Sequence, residues 1–496
     1  MAQYTDPGGG QLAHRRRCGK YCLALLLRAV ILFLSTWPTP SVHAQSGGTQ
    51  WGEPVVLFDG SSAASAANPR ILFYPFVVVD ASDSIKVLWE VSLASGADSN
   101  QLANGIYCVE GNGTNWSEAI DVINAPEGAG TFWPQHAVDR WGRLHLVWVG
   151  ANGTLYYSRA NVADACRARG WETSAIPISD QVLYGNIAVD QQGVIHVAYA
   201  ARDKDVYYMR SQDDGLSWSV PAGASSVKPL VATSFPSIAV DKAGRVYVAW
   251  EENQLPDGVP GLGLWYAVSR DDGLTWSPPL EVADGSHTQP NIAVLDDGTI
   301  HLFWNGRAST RGRYHQWSTD GGQTWTRPIE FIPKSQGGGQ TGFSRSAVDS
   351  IGNLHLVSGT DAVTYLEWNG RQWLDPPVNV LGYLEYPNVA ISRGRVLHVV
   401  ASDHQRIVYI RGTTNAPEVA AEIPPLPTRS AEATLGIARA ETQTPLPPSP
   451  TMVAPTIDTT DLRKAGTSFS PIVLSAGAVL VFVFAVVAIV RTRQRR

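Results

Sequence analysis

The chain has 496 residues and a formal net charge of −6, with 44% hydrophobic and 17% charged residues. This much apolar material can build a large core, and the charge is too sparse for an intrinsically disordered protein. The negative net charge gives no basis for nucleic-acid binding, which requires basic surfaces. Gly, Pro and Trp are abundant, at 46, 32 and 17 residues, which is typical of many short strands joined by tight turns.

Residues 1–44 have the order of a secretory signal peptide. A basic stretch ends at Lys20, a mostly apolar run covers residues 21–34, and Val42-His43-Ala44 offers a small-residue cleavage site. Arg28 interrupts the apolar run, which is also short for a bilayer span. We therefore predict a cleaved leader, with a retained signal anchor as the alternative.

The other end of the chain predicts a membrane anchor. Residues 471–490 are an uncharged apolar run, and such a run spans about 30 Å as a helix. Residues 491–496 contain four arginines, which favour the cytoplasmic side. Residues 413–470 are rich in Pro, Thr and Ala and predict a disordered stalk. The expected protein is a single-pass cell-membrane protein with its body outside the cell.

An internal phrase, Ile-Ala-Val-Asp-x-x-Gly-x-x-His-Val-x-Trp, recurs roughly every fifty residues. Seven copies, the first and last looser than the others, begin near Val78, Ala137, Ala188, Ala239, Ala293, Ala347 and Ala390. Each copy predicts a hairpin, because Asp binds its own backbone and Gly accepts a positive φ at the turn between two apolar strands.

A second phrase follows most copies. Its complete versions are Ser211–Trp218, Ser269–Trp276 and Ser318–Trp325. This phrase resembles the Asp-box, Ser-x-Asp-x-Gly-x-Thr-Trp, of the bacterial neuraminidase repeat. The resemblance implies a structural role: Asp and Gly build a tight turn and the Trp packs beneath it, without ligand binding or catalysis.

Two hairpins form a four-stranded sheet, and a single sheet cannot bury both of its faces. Repetition of such sheets around an axis solves this problem, so residues 47–412 predict an all-β, seven-bladed β-propeller. The seventh copy lacks an outer strand, and residues 47–54 resemble the end of an Asp-box phrase. We therefore expect the N-terminal segment to complete the last blade. A six-bladed ring is the alternative.

Four cysteines occur, and Cys18 and Cys22 lie in the leader. The remaining two, Cys108 and Cys166, either form a disulfide in an oxidising compartment or stay as two thiols. No Cys/His spacing resembles a zinc site, so neither a metal nor a cofactor is predicted.

One face of the propeller carries both sets of short turns, which leaves the longer and more varied loops on the opposite, loop-rich face. Amides and charges that enter or leave the inner strands are expected to face a ligand there, because planar amides and guanidinium groups suit hydroxyl and carboxylate recognition. The predicted ligand-binding residues are Gln135, Asn186, Arg202, Glu251, Gln289, Arg307, Arg345 and Asn388.

The resemblance to sialidases implies three arginines on a substrate carboxylate, a Tyr nucleophile activated by a Glu, and an Asp acid/base. The first of those arginines is missing where Phe73-Tyr74-Pro75 stands, and Arg70 is out of register. The remaining catalytic candidates are Asp98, Tyr383 and Glu385, the last next to Tyr386.

Fold and repeat do not fix an activity, so three hypotheses follow. The leading one is a surface module that binds a glycan or an extracellular protein. The second is an exo-acting glycoside hydrolase of the exo-α-sialidase type. The third is a scaffold domain in an envelope complex.

Overall fold

The computed structural model describes residues 48–60, 70–93, 105–124, 130–171, 175–203, 205–224, 232–253, 263–285, 287–306, 312–333, 343–359, 362–420 and 423–424. The predicted leader, the predicted spanning helix, the basic tail and all of the stalk beyond residue 424 lie outside these ranges. Within them, no helix has the length and apolar character needed to cross a bilayer.

The described residues form seven antiparallel sheets, and each sheet is one blade. Blade 1 contains β3 (Arg70–Val79), β4 (Ile85–Leu93), β5 (Gly105–Gly111) and β6 (Ile120–Asn124). Blade 2 contains β7 (Phe132–Val138), β8 (Arg143–Val149), β9 (Leu155–Asn161) and β10 (Ile176–Ser179), with two short 3-10 helices, Val162–Asp164 and Ala168–Gly170, before β10. Blade 3 contains β11 (Val182–Val189), β12 (Ile195–Ala201), β13 (Val206–Ser211) and β14 (Ala222–Gly223).

The remaining blades repeat this order. Blade 4 contains β15 (Ala232–Val240), β16 (Val246–Asn253), β17 (Gly263–Ser269) and β18 (Leu280–Asp284). Blade 5 contains β19 (His287–Val294), β20 (Ile300–Gly306), β21 (Gly312–Ser318) and β22 (Ile329–Pro333). Blade 6 contains β23 (Ser344–Val348), β24 (Leu354–Gly359), β25 (Val363–Trp368) and β26 (Val378–Leu381). Blade 7 contains β27 (Glu385–Ser392), β28 (Val396–Ser402) and β29 (Arg406–Thr413).

Two N-terminal strands, β1 (Gln50–Trp51) and β2 (Val55–Asp59), complete blade 7. Both pair antiparallel with β29, and the register places Trp51 opposite Gly412 and Val56 opposite Val408. The two ends of the propeller therefore share one sheet. The predicted closure and the seven-bladed count are confirmed, and the six-bladed alternative is wrong.

The core lies between neighbouring blades. Second strands such as β8, β12 and β28 are buried along their whole length because both of their faces are covered by adjacent sheets. Burial of both faces explains why apolar residues in these strands occupy both faces instead of alternating, apart from buried polar residues such as His145, His196 and His398. Trp89, Trp148, Trp250 and Trp304, each less than 2% exposed, supply much of the apolar area on these strands.

The predicted turn chemistry is present in the second phrase, whose turns we call the outer turns. Asp213 accepts hydrogen bonds from the N–H of Ser217 at 2.8 Å and from its hydroxyl at 2.5 Å. Asp320 accepts the same two bonds from Thr324, which lower the pKa of this carboxyl. Three repeats of one geometry indicate a structural device, because a binding site needs only one copy.

The tryptophan of each outer turn packs on the preceding blade. Trp218 meets Tyr157 edge-on with ring centroids 5.2 Å apart, and Trp276 meets Tyr208 in the same way at 5.3 Å. The other equivalent pairs are Trp325 with Tyr266, Trp373 with His315, Trp51 with Tyr365, and Trp116 with Tyr409. Six of the seven seams between blades therefore carry one edge-on aromatic contact.

The seventh seam, between blades 1 and 2, carries a disulfide instead. Cys108 is paired with Leu88, the register position that Tyr157 occupies opposite Val147 in blade 2. Its partner Cys166 comes from the connection that precedes β10. The question left open by the sequence is thus resolved in favour of a disulfide, which replaces an aromatic contact by a covalent one.

We call the turns between the first and second strands of each blade the inner turns. In several blades a histidine of the second strand lies between the tyrosine at the seam and the aspartate of the inner turn. His145 Nδ1 lies 2.8 Å from Tyr157 Oη, and its Nε2 lies 3.4 Å from Asp139 Oδ2. His196 and His355 repeat this arrangement in blades 3 and 6. Burial lowers the pKa of His145, which therefore stays neutral at neutral pH. Repetition in several blades indicates structural polar networks, despite their likeness to an Asp–His catalytic pair.

The packed body extends past the predicted boundary at residue 412. The N–H of Thr414 donates to the backbone carbonyl of Arg395, and the N–H of Val419 donates to the backbone carbonyl of Arg393. Ser350 Oγ donates to the carbonyl of Pro417 at 2.6 Å. Residues 414–420 therefore lie on the inner turns of blades 6 and 7, and we call them the exit segment.

A matched pair of glycines tests the seam. Gly273 and Gly298 both have a positive φ, at 83° and 84°, but a methyl group at Gly273 would overlap the Tyr208 ring, whereas nothing lies within 4 Å at Gly298. Gly298→Ala should cost about 1 kcal/mol for its backbone conformation, and Gly273→Ala about 1–3 kcal/mol more for the overlap. Denaturant unfolding measures both variants. Equal losses would show that the seam tolerates the added methyl group.

Candidate functional site

Five of the seven inner strands begin with the same distortion at the loop-rich face. The register of β3 with β4 shifts between Phe73 and Phe76, and those of β7, β15, β19 and β27 shift at the equivalent place. The register of β11 shifts earlier, between Val182 and Tyr184. A bulged residue with positive φ follows in five blades: Tyr74, Trp133, Phe235, Gln289 and Tyr386. Bulky residues rarely adopt this conformation, and strain of this kind concentrates at functional sites.

Six aromatic side chains meet at the propeller axis, and four of them belong to bulged residues with positive φ. We call them the axial aromatic cluster: Tyr74, Trp133, Tyr184, Phe235, Phe343 and Tyr386. Ring centroids lie 4.3 Å apart for Tyr184 and Phe235, 4.6 Å for Tyr74 and Tyr386, and 4.7 Å for Tyr74 and Trp133. Five of these six residues remain partly exposed. The cluster therefore closes the axis and offers an aromatic floor to the loop-rich face.

Three predicted ligand-binding residues meet behind this floor. Gln135 Oε1 accepts a hydrogen bond from Arg345 Nη2 at 3.1 Å and one from Asn186 Nδ2 at 3.5 Å. Arg345 belongs to blade 6 and Gln135 to blade 2, so their bond crosses the axis. The sequence places these side chains at a ligand site, and the structure places them in the axial channel, covered by aromatic rings on the loop-rich side.

A cavity of about 20 Å³ lies at this level, lined by Gln135, His136, Arg345 and Asn388 among others. Such a volume accommodates about one water molecule. Burial, followed by the charge of Arg345, lowers the pKa of His136 to about 3, and burial lowers the pKa of Arg345 to about 10. At neutral pH the channel therefore holds a neutral imidazole and a charged guanidinium.

Three further predicted binding residues hold the bulges in place. Glu251 is fully buried and accepts the N–H of Gln289 at 2.9 Å, the Ser234 hydroxyl at 2.8 Å and the Thr288 hydroxyl. Gln289 Oε1 accepts a 2.7 Å bond from Asn305. Asn388 Oδ1 accepts the N–H of Val77 at 3.5 Å, which joins blade 7 to blade 1. A role in ligand binding stays a prediction for all three.

The other predicted residues lie apart from the axis or outside the described residues. Arg202 is exposed at the β12–β13 connection, where its N–H donates to Gln181. Tyr383 is 84% exposed on the β26–β27 connection. Arg307 and Asp98 lie outside the described residues. Among the described residues, Arg345 is the one predicted arginine at the axis, so a convergence of three arginines is not formed by that set.

Glu385 is the catalytic candidate that lies beside the axial cluster. Its Oε2 is 3.5 Å from His404 Nε2, and both side chains are 38% exposed. Glu385 also forms a side-chain hydrogen bond with Tyr386, whose pKa is raised mainly by burial. His404 packs edge-on against Tyr386, with centroids 5.5 Å apart. A carboxylate, an imidazole and a phenol therefore meet at the open edge of the aromatic floor.

The sequence places His404 on the loop-rich face without singling it out as a site residue, and Glu90 was missed. His404 follows the last second strand, and nothing in the repeat marks it. Glu90 is 1% exposed and accepts the N–H of Trp133 at 3.3 Å and the Ser92 hydroxyl at 2.9 Å. Burial raises the pKa of Glu90 to about 8. Its position in β4 matches that of Glu251 in β16, because each pairs with a residue just before a bulge.

No protein-family model matches the chain. It is 27% identical over 165 residues to an ulvan lyase from Nonlabens ulvanivorans, covering 29% of this chain and 34% of that protein. It is 24% identical over 174 residues to an anhydrosialidase from Macrobdella decora, covering 33% of this chain and 22% of that protein. The chain thus spans about a third or less of these relatives' length.

Among solved structures, the BP39L lectin from Burkholderia pseudomallei superimposes with a TM-score of 0.52 at 13% identity, covering 70% of this chain and 98% of that chain. This likeness concerns the fold alone. The architecture defines the class: the protein is a seven-bladed β-propeller. Both sequence relatives are similar to this chain over about a third of its length, and one of them is an anhydrosialidase.

The buried carboxyl of Glu90 predicts a pH effect on stability. Its pKa is higher in the folded state than in the unfolded state, so its contribution is present at low pH and is lost as pH rises towards about 8. Between pH 5 and 8, the free energy of unfolding of the wild type should therefore fall by about 3–4 kcal/mol relative to Glu90→Gln. Urea unfolding across this range measures the difference. The exposed Glu53→Gln is the control, and parallel profiles for wild type and Glu90→Gln would contradict a protonated Glu90.

Proposed function

We propose that the protein binds glycans on its loop-rich face, with the axial aromatic cluster as the floor of the site. The observation that carries this proposal is the convergence of six aromatic rings, five of them partly exposed, on one end of the axis. Ligand sites of this kind combine apolar and aromatic walls with a few polar groups. Glu385 and His404 supply such polar groups at the edge of the floor.

The named relatives support the ligand class. An ulvan lyase, an anhydrosialidase and a lectin are all proteins that act on or bind carbohydrates, as their names state. Their matches are partial or distant, so they support a carbohydrate-related function and not a particular reaction. An extracellular protein ligand on the same face remains the alternative partner for the binding module.

A second candidate, an exo-acting glycoside hydrolase, is favoured by one observation. Glu385, Tyr386 and His404 bring an acid, a phenol and an imidazole into contact on an open surface, and general acid–base catalysis uses these groups. A sialidase-type reaction is supported less, because Arg345 hydrogen-bonds to Gln135 behind the aromatic floor instead of facing the loop-rich side.

We also propose that the propeller is displayed outside the cell on a single C-terminal anchor. The leader-like residues 1–44 and the apolar run 471–490 support this placement, and so does the Cys108–Cys166 disulfide, which persists in oxidising compartments.

Truncation after residue 470 should move the protein from the membrane fraction to the soluble fraction, because the apolar run is then absent. Fractionation followed by immunoblotting measures this shift. A full-length protein that is already soluble would contradict the anchor.

Trp133→Ala should weaken glycan binding at least tenfold, because it removes a ring at the centre of the floor. A glycan array that includes sialosides and uronic-acid oligosaccharides identifies the ligand, and calorimetry on that ligand gives the affinity. Leu216→Ala, which truncates an exposed side chain on the opposite face, is the control. Tyr184→Ala serves as a second probe if Trp133→Ala lowers the melting temperature.

The same ligand separates the two functions. Product release that Glu385→Gln abolishes while binding persists would establish a hydrolase. Binding without product by the wild type supports a binding module. Wild-type affinity in both Trp133→Ala and Tyr184→Ala would exclude the axial cluster as the site.

A further inference from the structure

We call the face of the propeller that carries the inner and outer turns the turn face. At the seam between blades 2 and 3, aspartates neutralise the arginines on this face. Arg143 Nε lies 2.7 Å from Asp139 Oδ2, and its Nη2 lies 3.0 Å from Asp214 Oδ1 of the next blade. Arg159, on the third strand, also binds Asp214. Two aspartates therefore form ion pairs with two arginines at this seam.

The blade 3–4 seam repeats part of this pattern. Arg210, which pairs with His196 as Arg159 pairs with His145, lies 3.1 Å from Asp272 Oδ2. Asp272 and Asp214 occupy the same position of their outer turns, directly before the turn glycine. The outer turn of the next blade is thus the source of the neutralising carboxylate.

The blade 7–1 seam keeps the third-strand arginine and lacks these carboxylates. Arg411 pairs with His398 as Arg159 pairs with His145. Val396 holds the register position of Arg143, and a second arginine of this turn, Arg395, lies one residue before it. The outer turn that would supply an aspartate is shorter by two residues at this seam, and the inner turn has a serine in place of its aspartate.

The inner turns of blades 2 and 7 have the same length, with six positions from Asp139 to His145 and six from Ser392 to His398. Ser392 takes the place of the aspartate and lies 2.9 Å from His398 Nε2. In the outer turns, seven positions separate Ser211 from Trp218, whereas five separate Gly111 from Trp116. Asn112 there accepts the turn N–H groups without bringing a charge.

The acids that remain nearby are already engaged. Asp83 and Glu418 line this region, and Arg393 binds both of them. Arg395 Nε is buried without a hydrogen-bond partner, and among the described residues Arg411 forms no ion pair. Two guanidinium groups are therefore left without a carboxylate.

These two arginines line one pocket of about 490 Å³, bounded also by Asn112, Ser392 and Thr413. The volume lies in the usual range for small-ligand sites. We infer that this pocket, between blades 7 and 1 on the turn face, binds an oxyanion, the carboxylate or sulfate group of a small acidic ligand. The anion occupies the place of the two missing aspartates, because a guanidinium pairs bidentately with either group.

Calorimetry of the purified full-length protein with inorganic sulfate at constant ionic strength tests this site. Saturable binding is expected, and Arg395→Gln and Arg411→Gln should each weaken it at least tenfold. Arg210→Gln, which removes an arginine already paired with Asp272, is the matched control and keeps wild-type affinity. Ser392→Asp returns a carboxylate to the pocket and should abolish sulfate binding while the protein stays folded by circular dichroism.

D-glucuronate and D-glucose distinguish the charged group from the sugar. Binding of glucuronate but not glucose supports an oxyanion site, and equal binding of both overturns it. Absence of saturable sulfate binding, or the same loss in Arg210→Gln as in Arg411→Gln, also overturns it. Trp133→Ala lies on the other face and leaves sulfate binding unchanged, so this site and the proposed glycan site succeed or fail separately.

Discussion

The edge-on contact between a tryptophan and the aromatic ring of the preceding blade is the interaction on which the ring depends. A four-stranded sheet leaves both faces open, and its free energy of folding becomes favourable only when neighbours cover them. The contact sits at the same register in six seams, so each blade fixes the position of the next. The disulfide at the remaining seam fixes the same spacing by a bond. Closure through β1 and β2 then makes this chain of contacts continuous, because the blade that ends the propeller is finished by strands that begin it.

The architecture could be predicted from the sequence because each blade corresponds to one copy of a repeated sequence phrase. A phrase that recurs at a fixed spacing specifies one structural unit, and the incomplete seventh copy specified how the ring closes. The repeat does not predict which side chains contact each other across a seam between blades. Cys108 and Tyr157 share a register position, but only the strand pairing reveals that a disulfide replaces an aromatic contact. Long-range partners of this type depend on how adjacent sheets face each other, which one chain's periodicity does not encode.

The loop-rich face was predictable only in outline. The sequence indicated that aromatic and amide residues lie where the inner strands begin, and it predicted ligand binding for them as one group. The bulges separate them, because a residue with positive φ turns its side chain to the axis at the surface, while the residue two positions later points into the channel. Trp133 and Gln135 are therefore neighbours in sequence with different surroundings. Glu90 was missed, and His404 was placed on this face without a specific role, because no repeat position distinguishes a buried capping carboxylate or a single loop histidine from ordinary strand ends.

The exit segment has a consequence for access. Its hydrogen bonds to Arg393, Arg395 and Ser350 hold it on the inner turns of blades 6 and 7, and Ile423 lies close to Gly142 of blade 2. The backbone thus departs from the side of the disc that carries the short turns. The described residues therefore end on the face opposite the axial aromatic cluster, and the exit segment does not cover the aromatic floor.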